Sequence, residues 1–142
     1  MASVKDLLGA KGSAIYSVEP EDPVLEAIQT MAERHVGALL VMKGTELAGI
    51  VSERDYARKV ILLGRSSSAT PVWQIMTFPV HTVTPEASVD DCMRLMTEHR
   101  VRHLPVVAKG QVVGVISIGD LVKAVIEDQR RTIEQLEGYI HS

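Results

Sequence analysis

At 142 residues, 46% of them hydrophobic with one Trp and one Phe, the chain can build one well-buried aliphatic domain, whereas two independent halves would each have a marginal core. A formal net charge of −3 gives no general attraction for nucleic acid or an anionic membrane, so any phosphate binding has to come from local placement of cations. The single cysteine, Cys92, excludes an internal disulfide; with no basic-then-apolar leader and no apolar run near ~20 residues, a soluble protein of a reducing cytoplasm is expected.

Val4, Leu7 and Leu8 fall at helical spacing in residues 1–8, which predicts a short helix ended near Gly9 and covering a sheet edge. Residues 14–18 read as a short strand. Asp22 is placed to cap a helix that begins at Pro23, whose φ is already helical, and runs to about His35. Its apolar face is Val24, Ala27, Ile28 and Met31, and Gly37 is expected to end it. The apolar runs 38–42 and 47–52 flank Lys43-Gly44-Thr45-Glu46, a hairpin signal because Gly supplies a positive φ. A helix over 53–63 follows, and the Ser-rich stretch from Gly64 to Pro71 reads as an exposed connection.

Residues 72–76 predict a helical turn and 80–83 a strand. Ser88-Val89-Asp90-Asp91 fits the capping box of a helix whose core face holds Cys92, Met93 and Met96. The runs 104–107 and 112–117 form a second hairpin around Lys109-Gly110, and a last core helix covers 119–127. Beyond it Ile126, Ile133 and Ile140 recur every seven residues with Gln129 and Leu136 between them, a narrow seam on an otherwise charged helix. Pairing with another copy and folding back on its own domain are both open to such a seam.

The order of elements repeats because the sequence does. Pro20 matches Pro85 and, with no gap, Val24/Val89, Met31/Met96, Val36/Val101, Leu39/Leu104, Gly49/Gly114, Ser52/Ser117 and Asp55/Asp120 follow in register. The period is ~65 residues, longer than solenoid repeats, with only two copies, so two fused half-domains sharing one core are expected. The fold class is therefore α/β (α+β), with two βαββα repeats related by a pseudo-twofold axis. The layout is an N-terminal helix and linker over 1–13, the first repeat over 14–64, a linker over 65–79, the second repeat over 80–127 and a helical tail over 128–142.

Gly49-Ile50-Val51-Ser52-Glu53-Arg54-Asp55 and Gly114-Val115-Ile116-Ser117-Ile118-Gly119-Asp120 each end an apolar strand, start a helix and put a hydroxyl and a carboxylate at the junction. Read plainly, Ser-x-x-Asp is a capping box. Read chemically, a carboxylate there can accept hydrogen bonds from both hydroxyls of a ribose, while free amides of the following helix face phosphate or ribose oxygens. Val36-Gly37-Ala38 and Val101-Arg102-His103 at the strand entrances would wall an adenine, and Arg54, Arg58, Arg100, Arg102 and His103 are the nearby cations. His35, His81, His99, His103 and His141 show no zinc-site spacing, so no metal is expected.

Two βαββα repeats, each ending Gly-x-[Ile/Val]-Ser-x-x-Asp and carrying Val-x-x-Leu-x-Val before its hairpin, resemble a tandem pair of cystathionine β-synthase (CBS) domains over about residues 14–127. The resemblance implies a free-standing regulatory module, not an enzyme, that senses an adenosine-containing ligand in the cleft between its repeats. AMP leads because few cations are certain at either mouth; ATP, NAD and S-adenosylmethionine are the other members of the class. It implies one site combining Asp120 and Ser117 with Lys11, Tyr16, Gly37 and Ala38, and another combining Asp55 and Ser52 with His81, Val101 and Arg102. Arg102 and His103 resemble the family's phosphate-contacting basic pair, and beside Ile118, also of this site, Gly119 lets a ligand approach the Asp120 backbone. At the other site Glu53 and Arg54 replace them, Arg54 serving phosphate or pairing with Glu53. A homodimer is the default assembly, with signalling through a change of conformation or dimer and with an unknown protein partner; no catalytic cofactor, nucleic acid or membrane is implied. The alternative is a dimeric scaffold that binds no ligand and works through its C-terminal helix.

Overall fold

The computed structural model describes residues 2–12 and 14–141. In chain order these form α1 (Val4–Lys11), β1 (Ser17–Val18), α2 (Val24–Arg34), β2 (Ala38–Lys43), β3 (Glu46–Ser52), α3 (Glu53–Tyr56), α4 (Val89–His99), β4 (His103–Ala108), β5 (Gln111–Ser117) and α5 (Ile118–His141). A π-helical turn, Ala57–Ile61, continues α3, and a 3-10 turn covers Val72–Gln74. Among the described residues no helix is long and apolar enough to cross a membrane.

The chain divides into two compact units, Ile15–Val80 and a second made of Met1–Ala14 with His81–Ser142. In the first, β1 runs parallel to β2 and β2 pairs antiparallel with β3. Its core is aliphatic: Val24, Ala27 and Met31 of α2 lie with Leu39, Val41, Val51, Val60, Val72 and Ile75. In the second, β4 and β5 form an antiparallel pair over which Val89, Cys92 and Met96 of α4 and Leu121 and Ala124 of α5 are buried together with Val4 of α1. The hairpins match in detail, each with a bulge at the same repeat position, between Val41/Met42 and Val106/Val107.

Each unit borrows the segment that precedes the other repeat. Leu8 of α1 lies against Gly114, where an added Cβ would come within 2.6 Å of its Cδ2. Likewise Met76, after the 3-10 turn, lies against Gly49, where a Cβ would meet its Sδ at 2.6 Å and the Thr77 carbonyl oxygen at 3.1 Å. Backbone pairing fixes both approaches. Val4 donates to Ala87 and Lys5 to Pro85 in one unit, and in the other Ile50 and Thr77 exchange both of their hydrogen bonds. Both glycines therefore allow a second layer to sit directly on a strand.

Several expected boundaries move, each for a local reason. The first helix is not ended by Gly9; it runs through it to Lys11, and Gly12 at φ 91 follows. Asp22 does not cap α2, because its carboxylate takes the Glu19 amide, leaving Pro23 as a cap without a side-chain bond. His35, not Gly37, closes α2 in the left-handed region at φ 55, and Arg100 does the same after α4 at φ 53. The strand expected over 14–18 shrinks to two residues, and that over 80–83 to a bridge between Val83 and Val106. Pro105 explains the second loss: Leu40 donates its amide to Tyr16, and at the matching position proline has no N–H to give His81.

The stretch read as an exposed connection is partly packed, with Thr70 only 6% accessible and its carbonyl accepting from Val24. The tail is no separate element either, since α5 continues unbroken for 24 residues. It does not fold back.

Gly49→Ala should destabilise the protein by about 1–3 kcal/mol, because the backbone oxygen of Thr77 cannot swing aside. Gly114→Ala should cost less, since only the Leu8 tip has to rotate. Urea unfolding of the two variants checks the order, and an equal or reversed pair of losses contradicts this packing.

Candidate functional site

Both Ser-x-x-Asp stretches are helix caps. Ser52 Oγ accepts from the Asp55 amide at 3.2 Å while Asp55 Oδ2 accepts from the Ser52 amide at 3.0 Å. Ser117 and Asp120 repeat the exchange at 3.2 and 2.8 Å. The next amide is used as well: Glu53 donates to the Gly37 carbonyl, and Ile118 to that of Arg102. The expectation of free amides at these helix starts is therefore narrowed, since the first and third N–H groups of each helix go to the strand entrance and to its own cap. What is left for chemistry is the rest of the carboxylate and what surrounds it.

Around Asp120 the surroundings are cationic and only partly buried. Lys11, the last residue of α1, places its ammonium 2.6 Å from Asp120 Oδ2 and 3.0 Å from the Val115 carbonyl. The Asp120 side chain is 22% exposed. Burial acts to raise its carboxyl, but the Lys11 ammonium and the Ser117 amide outweigh it and hold the group below its ordinary value. His103, opposite Ser117 in the hairpin register, is held below its ordinary value by burial and then by Lys11, against the pull of Asp120. At neutral pH it offers a hydrogen-bonding imidazole, and the positive charge of the expected basic pair rests with exposed Arg102. Cap and ammonium both use Oδ2, which leaves Oδ1 outside them.

Asp55 is engaged on both oxygens. Ser52 takes Oδ2, and Oδ1 lies 3.3 Å from the Lys59 ammonium and 3.3 Å from the Thr77 hydroxyl. Lys59 also donates to the Ile75 carbonyl at 2.9 Å. Neither Lys59 nor Thr77 is flagged by the Ser-x-x-Asp pattern; the readable signal is that Lys59 stands four residues after Asp55, and the π turn in which it sits is a frequent mark of functional or strained sites.

The other expected site residues are distributed as follows. Lys11, Arg102, His103, Ser117, Ile118, Gly119 and Asp120 gather in the unit that holds α5, with Val101 half-buried and His81 stacked on His99 at a ring separation of 3.7 Å. Tyr16, Gly37, Ala38, Ser52, Arg54 and Asp55 belong to the other unit, where the Arg34 guanidinium lies 5.1 Å from the Tyr16 ring centre. Among the described residues no group of three or more His, Cys, Asp or Glu side chains could hold a metal ion. Cys92 is buried, and burial followed by the Asp91 charge pushes its thiol up, as for an inert core residue.

A duplicated βαββα unit with capped strand-to-helix junctions and a borrowed flank defines a class of paired half-domains, and the comparisons say which. The CBS domain model matches residues 3–62 and 72–127, and the chain belongs to that family. It is 42% identical to the CBS domain-containing protein CBSX3, mitochondrial, of Arabidopsis thaliana, over 97% of this chain and 71% of that one. It is 57% identical to a solved signal-transduction protein with CBS domains from Burkholderia ambifaria, with a TM-score of 0.88 over 90% and 96% of the two chains. The CBS pair of protein MJ0100, solved with 5′-methylthioadenosine and S-adenosyl-L-methionine, shares the fold at a TM-score of 0.80 and 22% identity, over 90% and 98% of the chains. CBS pairs are generally regulatory modules.

Asp120 and His103 both bind protons less readily in the folded chain than outside it, so the unfolded state gains protons first as pH falls. The stability owed to His103 is complete above about pH 6.5 and lost below it; that owed to Asp120 is lost below about pH 3.9. Between pH 7.5 and 5.5 the wild type should lose stability relative to His103→Gln in urea unfolding. Parallel pH profiles would contradict the buried, neutral imidazole.

Proposed function

We propose that the chain is a regulatory sensor of an adenine nucleotide, AMP first and NAD or ATP after it, held by its ribose on Asp120. The observation that carries this reading is the contrast between the two carboxylates: Asp55 is tied on both oxygens, whereas among the described residues the cap and Lys11 leave Oδ1 of Asp120 uncommitted. A ribose diol is a suitable occupant because charge-assisted hydrogen bonds to a half-buried carboxylate are strong. Lys11 and Arg102 supply positive charge for a phosphate, His103 a neutral hydrogen-bonding ring, and Gly119, exposed and without a side chain, a close approach to the backbone. MJ0100, solved with two adenosine-containing ligands, supports the ligand class.

In this reading the protein works without a catalytic cofactor and outside a membrane. The ligand acts by binding one conformation or state of association of a homodimer more tightly than the other, since equal affinity would shift nothing. The scaffold reading has one observation in its favour, that both carboxylates already serve as helix caps.

Calorimetric titration of the nucleotide-stripped protein with AMP, ATP, NAD and S-adenosylmethionine tests the two. The sensor predicts binding that Asp120→Asn weakens about tenfold or more, the loss of a hydrogen bond to a charged acceptor, and that Asp55→Asn leaves nearly unchanged. Silence with all four ligands, or loss of binding through Asp55→Asn alone, would favour the scaffold or the other carboxylate.

A further inference from the structure

Lys11 and a ribose diol make competing demands on one oxygen of Asp120. The Lys11 ammonium lies 2.6 Å from Asp120 Oδ2 and 3.0 Å from the Val115 carbonyl oxygen, and the Ser117 amide reaches the same Oδ2 at 2.8 Å. A carboxylate oxygen accepts in about two directions, so Oδ2 is full while the ion pair stands. A diol gripped on both oxygens of Asp120 therefore has to move Lys11. Among the described residues Lys11 is the one cation paired with Asp120. His103 cannot replace it, because burial and then the Lys11 charge itself hold that ring below its ordinary value and neutral.

The move falls to the side chain, since the backbone behind it is fixed. Val4 and Lys5 donate their amides to Ala87 and Pro85, Leu8 lies against Gly114, and Lys11 is the last residue of the helix so held. The Lys11 side chain is 39% exposed. An ammonium on a flexible stem has several donors, so it can keep the Val115 carbonyl as a pivot while another donor turns from Asp120 to a ligand oxygen. The charge of the ligand decides whether that turn is favourable. A phosphate replaces one anion by another, and exposed Arg102 in the same unit adds positive charge. A neutral nucleoside offers nothing in exchange: it either leaves the ion pair standing and is held through Oδ1 alone, or strips the ammonium of its counter-charge. A sulfonium nucleoside brings a cation towards Lys11 and Arg102, which disfavours it further.

Resting on the adenine-nucleotide reading of the Asp120 site, we propose that Lys11 determines specificity by charge: it passes from Asp120 to a ligand phosphate, so that the site takes nucleoside phosphates and refuses neutral and sulfonium nucleosides. Calorimetric titration of the full chain with AMP, adenosine and S-adenosylmethionine tests this in wild type, Lys11→Met and Lys5→Met. The last removes the same charge from an exposed position of the same helix. Wild type should bind AMP at least about tenfold tighter than adenosine, and S-adenosylmethionine most weakly of the three. Lys11→Met should weaken AMP about tenfold while adenosine binds as well as before or better, because Oδ2 is released. Lys5→Met should keep the wild-type ratio of the two affinities. If adenosine binds and Asp120→Asn weakens it, the Asp120 reading stands. In that case an equal loss of AMP and adenosine in Lys11→Met, an unchanged ratio, or the same change of ratio in Lys5→Met would overturn the role of Lys11 alone. Failure of both AMP and adenosine to bind wild type would overturn the reading and the proposal together.

Discussion

Each repeat turns from strand to helix on a single carboxylate, and the rest of the structure depends on how that carboxylate is shared. Asp55 and Asp120 must accept the amide of the serine three residues earlier, or the helix start is left with unpaired donors. An ionised carboxylate has about four acceptor directions, so this duty does not exhaust it. What occupies the remaining directions decides whether the junction is structural or receptive.

The two units answer differently although their sequences share a frame. In the unit of residues 15–80 the π turn after α3 carries Lys59 back to Asp55, and Thr77 closes the same oxygen from the borrowed segment. In the other, the borrowed segment is α1, whose last residue, Lys11, reaches Asp120 on the oxygen already used by the cap. The Lys11 side chain is 39% exposed, so its ammonium can turn towards a bound anion at little cost in burial. Pro105 adds to the asymmetry by removing the amide that holds β1 in place in the other unit.

The repeat, the two hairpins with their Gly44 and Lys109-Gly110 turns, and the apolar faces of α2 and α4 are legible in the sequence. Short-range periodicity and turn chemistry determine them. So are the Ser–Asp junctions, as caps. Other features follow from contacts distant in sequence, and local pattern does not contain them: that α1 lies on β5, or that Lys11 meets Asp120 across 109 residues. Where local signals misled, a stronger demand nearby prevailed. Gly37 is the helix end that local pattern marks, yet its carbonyl is needed by Glu53, and His35 takes the left-handed turn two residues earlier. The seven-residue seam was visible as well, but only the unbroken course of α5 shows that its own unit leaves it exposed.

The central claim is that Asp120 holds a ribose diol, and the direct test is to remove the diol and leave the protein intact. The affinity of the wild type for AMP should exceed that for 2′,3′-dideoxyadenosine monophosphate by at least about tenfold, as expected when hydrogen bonds to a charged acceptor are lost. Equal affinities would mean that the carboxylate does no more than cap its helix.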